Sequence, residues 1–341
     1  MNQLAQATAY TRWALSDGKI TRQQEMAQAL TEGQIRVEVK ATSLNYRDLL
    51  IKQGNYAPVD DGTTVLSDAA AVVTEVAPDV TRWKVGDRVI PLFFQQWQQG
   101  RLKPEYMASA LGGEQDGVLA QQRVFDQHSV VAIPDYLTDE QAATLPCAAL
   151  TAWHALFERG RKLGQGDTLL IQGTGGVALF ALRFAKAIGA DVIVTSSSDQ
   201  KLERTKSLGA TGGINYLETP EWSEQVMEKT QGQGADIVLE LGGPDTFQHS
   251  INSVAAGGMI AQIGVLTGWS PQPELGRLVP FGADISGILV GSGEQFERML
   301  TFMEQHQIEP VIDSIWPVEH IEQAFDHLES GKHMGKVVVS L

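Results

Sequence analysis

Three glycines, Gly173, Gly175 and Gly176, stand between two apolar runs in LLIQGTGGVALF, residues 169–180. TLLIQ before them reads as a strand. GVALFALRFAKAIGA after them reads as a helix closed by Gly189, and DVIVTS as the next strand. In a strand–turn–helix–strand setting this spacing predicts a cradle for the pyrophosphate of a dinucleotide. Gly173 would allow the tight turn, and Gly175 and Gly176 would let backbone approach the phosphates. The helix N-terminus would add unpaired N–H groups and partial positive charge. Ala178 replaces the third glycine and is still small enough for helix to pack on strand. A purely structural turn is the plainer alternative.

Which dinucleotide is read one strand later. An NAD site carries Asp or Glu about 20 residues past the first glycine, bonded to the ribose 2′-hydroxyl. Here the strand ends in VTSSSDQK, with Ser196 at that place, Ser197 and Ser198 after it, and Lys201 nearby. Hydroxyls and an ammonium accept a 2′-phosphate that a carboxylate would repel, so NADP(H) is expected over NAD(H). Against this, Asp199 stands close enough to serve as the missing acid, and Lys201 also reads as a solvated residue at a helix start.

These residues need elements to hold them. The chain has 341 residues, enough for two domains, and 34 glycines, which suits β or α/β structure with many turns. Residues from about 20 to 135 read as short strands: GQIRVEVKATSL alternates Ile35, Val37 and Val39, and a Gly86-Asp87 turn divides AAAVVTEVAPDVTRWKVGDRVIPLF. Residues 95–117 read as a long loop. TDEQAATLPCAALTAWHALFERG turns helical, with Thr138 as cap and Gln141 three residues on. Strand and helix then alternate. TPEWSEQVMEKTQG is a helix capped by Thr219, ADIVLELGG and MIAQIGVL are strands, and SGILVGS is the last strand of the set. Such alternation makes a doubly wound parallel sheet. EHIEQAFDHLESG and KVVVSL close the chain in mixed structure.

The formal net charge of −15, from 26 basic and 41 acidic residues, argues against nucleic acid or an anionic membrane as partner. The single cysteine, Cys147, can build neither a disulfide framework nor a cysteine-rich zinc cluster. MNQLAQATAYTRWALSD lacks the pattern of a leader, and Arg183 and Lys186 interrupt the apolar helix after the glycine turn, so a cytoplasmic, non-membrane protein is expected. No G-x-S-x-G turn and no P-loop is present, and the seven histidines are scattered. His320 and His327 read as a solvated helix face, and His154 as a packed residue.

SLNYRDLLIKQGNY, VTRWKVGDRV, LPCAALTAWHAL, QGTGGVALFALRFAKAIGA and LGATGGINY, in that order, resemble the medium-chain dehydrogenase/reductase superfamily, and within it the zinc-independent quinone oxidoreductase-like and alcohol dehydrogenase-like members. The resemblance spans nearly the whole chain. It implies a GroES-like β-rich catalytic domain at 1–135 with a C-terminal return at 292–341, a Rossmann domain at 136–291, and an active site in the cleft. It implies Thr151 against the nicotinamide. It also implies cofactor contacts from Gly173, Thr174, Gly175, Gly176, Val177, Ser196, Ser197, Gly242, Gly264, Val265, Leu289 and Val290. In the NADPH-using branch a lysine and a tyrosine fifteen positions later hold the 2′-phosphate, the spacing of Lys201 and Tyr216. A homodimer paired through the edge strand at ISGILVGS is a further implication.

Zinc members carry a catalytic cysteine, a Gly-His-Glu segment and a third ligand. Here Asn45 stands at the first position and Ser67 and Asp68 at the second, and only Cys147 matches a ligand type. No metal is therefore expected. By the same resemblance Asn45 and Tyr56 are the donors to a substrate carbonyl, although a turn residue and a loop residue are the bland alternatives. Asp48 reads as a partner of backbone or Arg47, and Phe94 and Trp97 as an aromatic wall or as inward packing. Without a Lewis acid a simple aldehyde is hard to polarise, whereas a quinone or enone delocalises the developing charge. The expected activity is thus an NADPH-dependent, zinc-independent reduction of a quinone or α,β-unsaturated carbonyl. The rivals are an alcohol dehydrogenase-like enzyme and a non-catalytic NADP-binding protein.

Overall fold

The computed structural model describes residues 9–56, 58–268 and 273–341. The reading on a leader falls partly on residues 1–8, outside the described residues. The first seven strands are β1 (Ala9–Ser16), β2 (Lys19–Met26), β3 (Gln34–Ser43), β4 (Asp68–Val76), β5 (Arg88–Pro91), β6 (Gln122–Asp126) and β7 (Val130–Ala132). The next six are β8 (Thr168–Gln172), β9 (Asp191–Ser196), β10 (Gly212–Asn215), β11 (Ala235–Glu240), β12 (Val254–Gln262) and β13 (Asp284–Gly287). Two more, β14 (Ile312–Pro317) and β15 (Lys336–Ser340), close the chain. The chain divides into two compact units, 1–148 with 291–341, and 149–290.

In the first unit a seven-stranded sheet runs β14-β15-β3-β4-β5-β7, with β6 also paired to β3, and β1 and β2 form a hairpin. β3 is buried at seven of its ten positions, more than the alternation of a one-faced strand would give. It pairs antiparallel with β4, β6 and β15. Ile35, Val37, Val73, Val89, Leu119, Phe325 and Val337 share one core there. Helix α1 (Tyr46–Lys52) follows β3 at once. Helix α2 (Asp139–Ala142) carries the expected reciprocal cap: Gln141 N–H donates to Thr138 Oγ1 at 3.2 Å and Thr138 N–H to Gln141 Oε1 at 2.9 Å.

The second unit is a six-stranded parallel sheet in the order β10-β9-β8-β11-β12-β13. Counted within the unit this is 3-2-1-4-5-6, the order of a dinucleotide-binding sheet, whose direction of winding reverses between β8 and β11. Helix α3 (Leu150–Trp153) precedes it, and α4 (Gly176–Ile188), α5 (Asp199–Leu208), α6 (Trp222–Lys229), α7 (Pro244–Ser253) and α8 (Leu278–Phe281) lie along it. α4 buries seven residues from Ala178 to Ala185 and stops at Gly189, which is left-handed at φ 76. Two more helices, α9 (Gly293–His306) and α10 (Ile321–Glu329), belong to the first unit.

Several boundaries differ from the sequence expectation. The helix foreseen across 138–160 is broken: wider π-type turns occupy Leu145–Ala149 and His154–Glu158, the first containing Pro146, which cannot donate to a regular helical ladder. The unit boundary falls at 148/149 and not at 135/136, because residues 139–148 are tied to β3 and β4. Ser43 Oγ donates to the Ala143 carbonyl at 2.8 Å and Cys147 N–H to Asp68 Oδ2 at 3.1 Å. α6 begins at Trp222, two residues after the proline, with Glu221 and not Thr219 at its cap. The last strand of the parallel set is 284–287 and not SGILVGS, so Leu289 and Val290 lie beyond it. Among the described residues no helix is long and apolar enough to cross a membrane.

Candidate functional site

Because all six strands of the second unit are parallel, their C-terminal ends share one edge, and the sequence-predicted cofactor residues gather on it. Gly173, Thr174, Gly175, Gly176 and Val177 follow β8. Ser196 ends β9 and Ser197 follows it, with Lys201 in the first turn of α5. Tyr216 follows β10, Gly242 follows β11, Gly264 and Val265 follow β12, and Leu289 and Val290 follow β13. Gly173 is left-handed at φ 78, and a side chain at Gly173 or Gly175 would meet no heavy atom within 4 Å. The backbone there faces open space at the start of a 13-residue helix whose first N–H groups lack intrahelical acceptors. That cradle fits a pyrophosphate.

Hydrogen bonds tie this rim together. Gly173 N–H donates to the Thr195 carbonyl at 2.8 Å, and Tyr216 N–H to the Ser196 carbonyl at 3.1 Å. At the reversal point Gln172 and Glu240, both buried, face each other. Gln172 Nε2 donates to Glu240 Oε2 at 2.9 Å, and Gln172 Oε1 accepts from Leu241 and Gly242 N–H. Glu240 also accepts from Gly242 and Gly243 N–H and from the Thr246 and Ser250 hydroxyls, so this carboxylate fixes the turn after β11. Sequence reasoning missed both residues. A glutamine and a glutamate at the ends of two apolar strands were the available signal.

Ser196 is buried, and its hydroxyl accepts from Ser198 N–H at 3.3 Å. Ser198 caps α5 by accepting from Lys201 N–H. Asp199, the rival acid, accepts from Asn215 Nδ2 at 2.9 Å. Thr151 is buried on α3. His154 is buried with Nδ1 donating to the Val290 carbonyl at 2.8 Å, and burial lowers its pKa, so it acts as a neutral strut for the chain after β13.

In the first unit Asn45, Ser67, Asp68 and Cys147 converge, joined by a residue the sequence reading did not single out, Lys336. The Lys336 Nζ donates to Asn45 Oδ1 and to the Leu44 carbonyl, each at 2.6 Å, and lies 3.9 Å from Asp68 Oδ2. Asn45 Nδ2 donates to Ser67 Oγ at 3.4 Å, Ser67 Oγ donates to Asp68 Oδ1 at 2.7 Å, and Cys147 N–H donates to Asp68 Oδ2. Asp68 and Ser67 are fully buried, Lys336 is 3% exposed and Asn45 8%. The signal for Lys336 was a lysine opening an otherwise apolar final strand, KVVVSL. Such a position demands a buried partner.

Asp48 accepts from Asn45 N–H at 2.8 Å, with Arg47 3.6 Å away. Burial raises its pKa to about 6, partly offset by Arg47. The folded form thus holds its proton more tightly than the unfolded chain, whose value is near 3.8. The stabilisation is complete below about pH 4 and is lost as pH rises through about 6, about 3 kcal/mol in all. Asp48→Asn keeps an oxygen acceptor without the charge. Chemical denaturation at pH 4 and pH 7 is expected to show the variant gaining on the wild type at the higher pH, and an equal difference at both would refute this.

Arg47 donates to the Leu111 carbonyl at 2.8 Å, with its guanidinium carbon 5.4 Å from the Tyr56 ring centre and 4.8 Å from that of Phe93. Tyr56 packs partly buried against the core beside it. Phe94 and Trp97 form no exposed wall: each is 2% exposed, and Trp97 Nε1 donates to the Gly100 carbonyl. Their apolar rings fill the base of the 95–117 segment, which contains a 3-10 turn at Pro104–Ser109. His327 Nε2 pairs with Asp313 at 2.7 Å. Among the described residues no group of three or more His, Cys, Asp or Glu could hold a metal.

A dinucleotide-binding sheet combined with a β-rich unit defines an oxidoreductase of the two-unit dehydrogenase type, and comparison with known proteins agrees. Residues 31–135 match the alcohol dehydrogenase GroES-like domain, and residues 176–305 the zinc-binding dehydrogenase family. A zinc-type alcohol dehydrogenase-like protein of Schizosaccharomyces pombe is 41% identical over 93% of each chain. The crystal structure of an alcohol dehydrogenase candidate from Sinorhizobium meliloti 1021 superposes with a TM-score of 0.92 at 38% identity, covering 98% of this chain and 99% of that one. A quinone oxidoreductase of Pseudomonas syringae pv. Tomato DC3000 gives 0.82 at 25%, covering 97% and 100%. The chain belongs to the medium-chain dehydrogenase/reductase superfamily. It is an oxidoreductase, and in such enzymes hydride chemistry belongs to a nicotinamide cofactor.

The zinc in those family names does not fit the residues present. The zinc-binding match, 176–305, contains none of Asn45, Ser67, Asp68, Cys147 or Lys336. Asn45 Oδ1 already accepts from an ammonium, Ser67 donates its proton to Asp68, and a lysine cation stands within 4 Å of the one carboxylate. Although Cys147 as a residue is half-buried, burial and the Asp68 charge push its thiol well above the usual range, away from the thiolate a metal needs.

Proposed function

We propose that the protein is an NADPH-dependent, zinc-independent reductase of a quinone or α,β-unsaturated carbonyl. The observation that carries this reading is the Lys336–Asn45–Ser67–Asp68 cluster, a polar site with hydrogen-bond donors in place of a Lewis acid. A delocalised, weakly basic oxyanion needs less stabilisation than the localised alkoxide of a simple alcohol, so hydrogen-bond donors suffice where the alkoxide would call for a Lewis acid. Bound NADPH supplies the hydride. Asn45 Nδ2 donates to the substrate oxygen, Tyr56 offers a second donor from its phenol, and solvent supplies the proton that completes the reduced product. Ser196, with Ser197, Lys201 and Tyr216, receives the 2′-phosphate, a reading supported by hydroxyls where an NAD site has a carboxylate. Thr151, Leu289 and Val290 flank the nicotinamide. A homodimer is proposed through β13, an edge strand with Ile285 exposed. The expected location is the cytoplasm.

The test is oxidation of NADPH by a chelator-treated preparation offered ortho-naphthoquinone and benzaldehyde side by side, repeated with NADH. Quinone turnover at least tenfold above aldehyde turnover, with NADPH preferred, is expected. Turnover of the aldehyde alone, or only after added zinc, would instead favour the alcohol dehydrogenase chemistry named for the relatives.

A further inference from the structure

The orientation of Asn45 is fixed by chemistry. A lysine ammonium can only donate, so the Asn45 atom 2.6 Å from Lys336 Nζ is the carboxamide oxygen. The nitrogen is thereby turned the other way, toward Ser67 Oγ. That hydroxyl is free to accept because its own proton goes to Asp68. Every bond of the series has one sense: Lys336 to Asn45, Asn45 to Ser67, Ser67 to Asp68. The Asp68 carboxylate then balances the Lys336 charge at 3.9 Å and closes the ring. A buried lysine is costly, and nothing in strand pairing requires one at the first residue of β15.

We propose that Lys336 is a positioning residue for the reduction, the fixed cation of the site, which locks the Asn45 carboxamide with Nδ2 forward and sharpens that N–H as a donor to the developing oxyanion. The inference rests on the reading of Asn45 given above. A cation on the amide oxygen draws electron density from the nitrogen, so its N–H becomes more acidic and a stronger donor, and linked hydrogen bonds polarise one another in the same sense. Nδ2 carries two protons and gives one to Ser67 at a long 3.4 Å, which leaves the second for the substrate. Lys336 itself touches no reacting atom; its charge reaches the substrate through Asn45.

A double-mutant cycle on the intact protein, with NADPH and ortho-naphthoquinone, separates this role from a structural one. Lys336→Met is expected to lower kcat by about tenfold to a hundredfold, with the Kd for NADPH within about twofold. In an Asn45→Ala background the same substitution should cost less than about threefold. Equal factors in both backgrounds would overturn the proposal and leave Lys336 a packing residue. Asn45→Ala alone leaving kcat unchanged would instead remove the reading of Asn45, and this inference with it. If Lys336→Met does not fold, Lys336→Gln enters the same cycle, since it offers Asn45 a neutral N–H without the charge. A wild-type kcat in that variant would overturn the proposal.

Discussion

Gly264→Ala is expected to unfold the second unit or to destabilise it by at least about 4 kcal/mol. A Cβ at this position would stand 1.7 Å from the Leu241 carbonyl oxygen and 2.2 Å from its carbon. Both are backbone atoms, and they cannot turn aside as a side chain would. Leu241 N–H is itself held by Gln172, and Gly264 N–H donates to the Glu240 carbonyl at 2.9 Å, so neither chain segment can retreat. The glycine lies there because the turns after β11 and β12 touch, whatever else the position does for a cofactor. Thermal unfolding followed by circular dichroism measures the effect. A midpoint within a few degrees of wild type would show that the two turns separate easily.

Ser196→Asp is expected to weaken NADPH binding by about a hundredfold, near 3 kcal/mol, while NADH binding holds or improves. The substitution puts a carboxylate at the end of β9, where a 2′-phosphate would bring like charge, and where an NAD site uses the same group to bond a hydroxyl. Fluorescence titration with each cofactor reads the change directly, with thermal unfolding as the check that the buried position tolerates the acid. Unchanged NADPH affinity would place the 2′-phosphate elsewhere. Tighter binding of NADH by the wild type would remove the NADP assignment itself.

How far the molecule could be read from its sequence depends on the range of the forces involved. The strand–turn–helix around Gly173 and the cap of α2 were legible because local geometry alone specifies them: a tight turn, an apolar period, a reciprocal Thr138–Gln141 pair. The breaks were not: Pro146 signals an interruption at Leu145–Ala149 without saying what form it takes, and in His154–Glu158 the residues remain helix-forming while the bond pattern widens. The glycine turn and the serines at the end of β9 pointed through residue type to the sheet edge proposed for the cofactor. Glu240 and Gln172 did not, because their meaning arises where two strands 68 residues apart come together. Asn45, Ser67, Asp68 and Cys147 were found as positions departing from a zinc pattern. Their common partner, Lys336, lies 291 residues from Asn45, and no spacing rule reaches that far. For Phe94 and Trp97 residue type left both an aromatic wall and inward packing open, and only the fold, which buries both rings, decides for the second.

The Lys336–Asn45–Ser67–Asp68 ring is expected to act as a barrier to stepwise change. The side-chain bonds of the ring share one sense, so exchanging any member for a metal ligand disturbs its neighbours. Asn45→Cys would deprive the buried ammonium of its side-chain acceptor and leave it the Leu44 carbonyl. Ser67→His would remove the hydroxyl donor to Asp68 Oδ1 and crowd a fully enclosed position. A dication admitted while Lys336 remains would face a like charge, and removing Lys336 first leaves Asp68 buried without its counter-charge. Substitution toward a metal site is therefore expected to pass through less stable intermediates. The ring is expected to resist substitution toward metal ligands more than the surface around it resists change.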